Sequence, residues 1–171
     1  ASLPKKSRAV ATFEQTAVDT EARLWLGFVR AQMHFDHFKR WKSKGAFAVG
    51  AQALREIIDN HRTVMLTDPS GSIPAGIRAM RKLCDAELTV LKNTTQAGQT
   101  LEMFFAKFSD EKKDRLFAGY ALLLLAETEL DFRHNAASAF KSFMQVAEKY
   151  GDLPMYPPPA DGETTIGPHA L

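Results

Sequence analysis

The side chains best suited to chemistry fall into three groups. The first could hold a metal. Glu127, Asp131 and His134 are spaced i, i+4, i+7, and His34 and His37 are spaced i, i+3. Carboxylates and imidazoles on facing helices are how a helical bundle builds a di-metal site. A ferritin-like set needs Glu-x-x-His on two helices. This chain has Asp131-x-x-His134 once and His34-x-x-His37 in place of the second. Metal binding, or a small metalloenzyme, is therefore the alternative reading.

The second group is basic. Arg23, Arg30, Lys39, Arg40, Lys42 and Lys44 face only Asp36 across residues 22–44, a net of +5. Phe35, Phe38 and Trp41 are interleaved with them. Cations neutralise phosphates and exposed aromatics stack on bases. Phe35 and Phe38 lie on the apolar stripe and are expected inside. Arg78, Arg81 and Lys82 could extend the same surface.

The third group is the pair of ends. Residues 1–8 hold Lys5, Lys6 and Arg8 and no acid, and residues 152–171 hold Asp152, Asp161 and Glu163 and no Lys or Arg. The second segment also holds five of the eight prolines, including Pro157, Pro158 and Pro159 after Tyr156. Two extended arms of opposite charge are suited to lacing subunits together, while docking on their own domain is the plainer role.

No nucleophile motif is present: G-x-S-x-G, H-E-x-x-H, C-x-x-C and a phosphate loop of the right spacing are all missing. No catalytic residue and no cofactor are therefore assigned. The lone Cys84 falls in an apolar helical stripe and reads as core. His61 shares a helical face with Leu54, Ile58 and Met65, which suits a buried or interface histidine.

Helices must position these groups. Ala17, Leu24, Phe28, Ala31, Phe35 and Phe38 mark a helix over 9–44, broken near Gly45. Phe47, Ala51, Leu54, Ile58 and Met65 mark a second over 46–66. TDPSGS, residues 67–72, reads as a loop, with Ser72 as the N-cap of a third helix over 74–93. LEMFFAKF is a short apolar segment leading to Ser109, the expected cap of a helix over 110–134 that carries the LLLL run. Asn135 reads as a turn. The last helix covers 136–150, with Phe140, Phe143 and Ala147 inward and a stop at Gly151.

The expected fold is all-α: four long helices in a bundle with one or two shorter ones. Its divisions are a basic arm 1–8, a helical body 9–151 and an acidic proline-rich arm 152–171. Length and composition agree with one globular domain: 171 residues, 45% hydrophobic and 25% charged, with 22 basic and 20 acidic residues. One cysteine excludes a disulfide scaffold. The longest apolar run, Leu116 to Ala126, is too short to span a bilayer. No signal peptide is visible in ASLPKKSRAV, which is compatible with a cytoplasmic or virion setting. The reading is a non-enzymatic structural or interaction subunit of a larger oligomer. Its arms contact neighbours, and nucleic acid is a candidate partner, as in a coat or packaging protein.

Overall fold

In the computed structural model the described residues are 5–69, 71–110, 112–156 and 165, and for residues 5–18 only the backbone is described. They are mostly helical. The order is α1 (Lys5–Trp41), α2 (Lys44–His61), β1 (Met65–Asp68), β2 (Gly71–Pro74), α3 (Ala75–Asp85), α4 (Thr94–Ser109), α5 (Arg115–Asp131) and α6 (Ala136–Tyr150). A π-helical turn, Ala86–Val90, continues α3, and a 3-10 turn, Lys112–Asp114, leads into α5. Among the described residues, no helix is long and apolar enough to cross a membrane.

Helices pack mainly on their neighbours in sequence: α1 on α2, α2 on α3, α4 on α5 and α5 on α6. The stripe read from sequence does face inward on α1, where Leu24, Phe28, Ala31, Phe35 and Phe38 are buried. Phe35 and Phe38 each meet Phe47 of α2, at 5.2 and 5.5 Å between ring centroids. The LLLL helix is the most buried element. From Phe117 to Ala126 every residue of α5 is buried, because α4, α6 and α3 cover different sides of it.

Several expectations are corrected. The 67–72 loop is part of an antiparallel hairpin, with Leu66 opposite Ile73 and Thr67 opposite Ser72. Each strand has four residues, too short for period-2 alternation to stand out. Ser72 is thus in β2, and Pro74 is the N-cap of α3. The first free N–H groups of α3 are taken by the preceding chain: Ala75 N donates to Val64 O (2.8 Å) and Gly76 N to Arg62 O (3.0 Å). This approach leaves no room for a side chain at Gly76, where a Cβ would lie 2.5 Å from Arg62 Cβ.

Ser109 ends α4 and does not begin α5. LEMFFAKF belongs to a full helix that starts at Thr94. Its cap is Asn93, whose side chain accepts from Gln96 N at 3.0 Å. Asn135 likewise caps α6 by accepting from Ser138 N at 3.2 Å. In α6 the buried line is Ala139, Val146 and Tyr150, with Phe143 and Ala147 packed against the core as expected, whereas Phe140 is 66% exposed. Phe140 is left outside because this helix leans chiefly on α5 alone. His61 is exposed at the end of α2, and Met65 lies in β1 and not on a helix.

The basic arm is also revised. Lys5, Lys6 and Arg8 belong to α1. Residues 5–18 contain neither Gly nor Pro, so nothing in them stops a helix. Residues 1–4 lie outside the described residues. At the other end, residues 152–156 fold back on the body. Leu153, Met155 and Tyr156 pack against the core. The Tyr120 hydroxyl donates to Pro154 O (3.3 Å) and accepts from Tyr156 N. Arg115 forms a fork with both oxygens of Asp152 (2.7 and 2.6 Å). Tyr156, expected in an arm reaching a neighbour, is therefore seated on its own chain, because three large side chains among the prolines have apolar surface to bury. Pro157, Pro158 and Pro159 lie outside the described residues.

Candidate functional site

Helix α1 presents two faces. Its inner stripe is core. Its outer surface carries Arg23, Arg30, Lys39 and Arg40, all exposed, and Lys42 and Lys44 continue it past the helix end. The helix stops because Lys42 adopts a left-handed φ of 54°. Lys39 lies 3.9 Å from Asp36 one turn back, a solvated pair of small energetic weight. Trp41, between Arg40 and Lys42, is 72% exposed. The same side holds an apolar row that sequence reading missed: Leu26, Val29 and Met33, at 65, 55 and 67% exposure. Its signal was present as a second set of 3- and 4-residue steps, hidden by the stronger inner stripe.

The second basic group sits on α3 at the foot of α1. Lys82 Nζ donates to Gln32 Oε1 of α1 at 2.7 Å. Lys39 and Lys82 line one cavity of about 210 Å³ with Asp85. The fold therefore joins the two basic groups through these two lysines. On the far side of Lys82, a cavity of about 370 Å³ is lined by Arg78, Arg81, Lys82, Asp68, Asp85 and Tyr156. Arg78 is already engaged. It pairs with Asp68 of β1 and stacks on Trp25, 4.7 Å from the ring centroid. Arg81 lies over the Tyr120 ring at 5.9 Å, with its Nε buried and without a hydrogen-bond partner.

Burial sets the electrostatics here. It pushes the Lys82 ammonium down, against the attraction of Asp85 and Asp36. It pushes the Asp85 carboxyl up, against Arg81 and Lys82. Glu127 keeps more than a third of its surface in solvent, yet packed neighbours still desolvate its carboxyl and push it up, with Arg81 opposing. The groove thus holds opposite charges close together and offers both hydrogen-bond donors and acceptors. A side chain or ligand with an anionic end could exchange with these internal partners.

The metal candidates are not gathered. Among the described residues no group of three His, Cys, Asp or Glu side chains could hold a metal ion. Helix α5 ends at Asp131, and His134 follows in a left-handed conformation, φ 54°, so the i+7 relation to Glu127 is broken. His34 and His37 remain together on α1, half-buried and exposed. Cys84 is buried as expected and lies 3.6 Å from Thr128 Oγ1.

One buried polar cluster was not legible as a site. Glu87, in the π-helical turn, is fully buried. Its Oε1 accepts from Thr100 Oγ1 (3.0 Å) and Gln96 Nε2 (3.2 Å), and Arg55 NH2 lies 3.8 Å away. Its Oε2 has no hydrogen-bond partner. The wider turn, with Leu91 N bonded to Ala86 O at 2.9 Å, closes the five residues that include Glu87. Such turns recur at functional sites. A carboxylate on the core line of α3, four residues past Leu83 and seven past Met80, was the available signal. Compared with known protein families, curated proteins and solved structures, the chain matches none.

Proposed function

We propose that the protein is a non-enzymatic structural or interaction subunit of an oligomeric assembly, with the outer face of α1 as its contact surface. The carrying observation is the row Leu26, Val29 and Met33 on the solvent side of a 37-residue helix. Apolar side chains at 3- and 4-residue steps on an exposed helix are what a partner helix buries. The pairing of α1 with α2 and of α4 with α5 supports a four-helix bundle as the body beneath that surface. Arms beyond the body would add contacts to neighbouring subunits in this reading, although Thr165 forms an antiparallel bridge with Pro154 of its own chain.

The test is the mass of the full chain in solution by sedimentation velocity across a concentration series. Assembly above the monomer is expected, with dissociation in the Leu26→Ser/Met33→Ser variant. A monomer at every concentration, with no change in the variant, counts against the proposal.

Nucleic acid is a second partner in this reading, favoured by one observation: Trp41 is exposed between Arg40 and Lys42. A stacking ring between two cations is the elementary unit of single-strand binding. Titration with an oligonucleotide should quench Trp41 fluorescence and weaken steeply with salt. An unchanged affinity and salt slope in Lys39→Ala/Arg40→Ala/Lys42→Ala would remove nucleic acid from the account.

A further inference from the structure

A separate cavity of about 420 Å³ opens where α1 turns into α2. Phe38, Phe47, Ala51 and Leu91 form its apolar wall, and Lys42 and Lys44 stand among its lining residues. Its volume lies in the range of small-molecule sites. Arg55 occupies a distinctive place. It lines this cavity, and its NH2 also lies 3.8 Å from the buried Glu87. Its Nε is buried and makes no hydrogen bond. Gln96 shares both roles, lining the cavity and donating to Glu87.

From this arrangement we infer that the cavity is a binding site for a free amphipathic anion, an apolar body ending in a carboxylate. The apolar body fills the space between the Phe38 and Phe47 rings and Leu91. The anionic end meets Arg55, Lys42 and Lys44. No acidic side chain lines the cavity, and the nearest carboxylate to its cations, Glu87, lies behind Arg55, 3.8 Å from its NH2. Three cations around an apolar space reject neutral and cationic amphiphiles, because only an anion repays the desolvation of the guanidinium. The inference goes beyond assembly through α1 and stands independently of it.

Decanoate is the probe, measured by titration calorimetry on the full chain below its micelle-forming concentration. One saturable site is expected, with decanol and decylamine weaker by about tenfold or more. Two surface variants locate the site without disturbing the core. Ala48→Trp, at an exposed lining position, should abolish binding, and Lys42→Gln/Lys44→Gln should weaken it by about tenfold. Circular dichroism of each variant confirms that it folds. Equal affinity for decanol, binding unaffected by Ala48→Trp, or absence of saturable heat overturns the inference. Capture by anionic phospholipid vesicles in place of free decanoate overturns it as well.

Discussion

Cys84 and Tyr120 show how burial of single groups ties stability to pH. Burial pushes the Cys84 thiol from its usual 9.0 up to about 11, and the Tyr120 phenol from 10.0 to about 12. Both folded-state values are raised, so the unfolded chain loses these protons first. The contribution of these two groups is therefore complete below pH 9 and is lost as pH rises through 9 to 11 for Cys84 and 10 to 12 for Tyr120. Cys84 alone should account for about 2–3 kcal/mol. Urea unfolding at a series of alkaline pH values measures this, and Cys84→Ala should flatten the lower part of the fall. Lys92 makes a different residue-scale case. It closes the π-helical turn with φ 57°, a conformation that costs a side-chain residue but not glycine. Lys92→Gly should stabilise the fold by about 0.5–1 kcal/mol, read as a higher urea midpoint. Three of the helix breaks use such residues, Lys42, Lys92 and His134. This is why a search for glycine misplaced the end of α1 at Gly45 and ran α5 on to His134.

At the scale of elements, the chain before the hairpin packs tightly on the start of α3. Arg62 anchors it. Its Nε and NH2 bind both oxygens of the buried Asp114 at 2.8 and 2.9 Å, and its guanidinium lies 5.4 Å from the Phe108 ring centroid. Its backbone oxygen receives the Gly76 N–H. Gly76→Ala would press a methyl against Arg62 Cβ at 2.5 Å and Phe117 Cε1 at 2.9 Å. The expected loss is about 1–3 kcal/mol, measured by chemical denaturation, with the helix content of the native state unchanged. The stripes of α1, α2 and α3 were legible because each helix has one dominant buried side. The hairpin and the exposure of Phe140 on α6 were not. The hairpin depends on one buried cross-strand pair, Leu66 with Ile73, and α6 turns Ala139 inward where Phe140 has the larger apolar surface. Local pattern favours the bigger side chain, whereas packing favours the one that fits against α5.

For the molecule as a whole, the return of residues 152–156 onto α5 closes the fold. The Tyr120 hydroxyl is the clasp, bonded to Pro154 O and Tyr156 N. Tyr120→Phe should lower stability by about 1–2 kcal/mol and speed proteolysis after Gly151. Timed digestion followed by mass spectrometry checks it, and an unchanged cleavage rate would mean that Leu153, Met155 and Tyr156 hold the segment by packing alone. If α1 is a contact surface, another molecule covers its apolar row Leu26, Val29 and Met33, and solution mass is the measurement that reports it.

The sequence by itself determined that the chain is helical, that Phe35 and Phe38 point inward, that Cys84 is core, and that a basic surface runs along α1. Those properties follow from residue type and spacing, which act within a single element. Only the tertiary structure decided that Lys39 and Lys82 share a cavity, that Arg55 links a second cavity to the buried Glu87, and that Tyr156 folds home. Each of these joins residues separated by 32 or more positions, and no local period encodes such a meeting. The metal set failed for the same reason in reverse. Its spacing assumed one continuous helix, and the left-handed turn at His134 ended it.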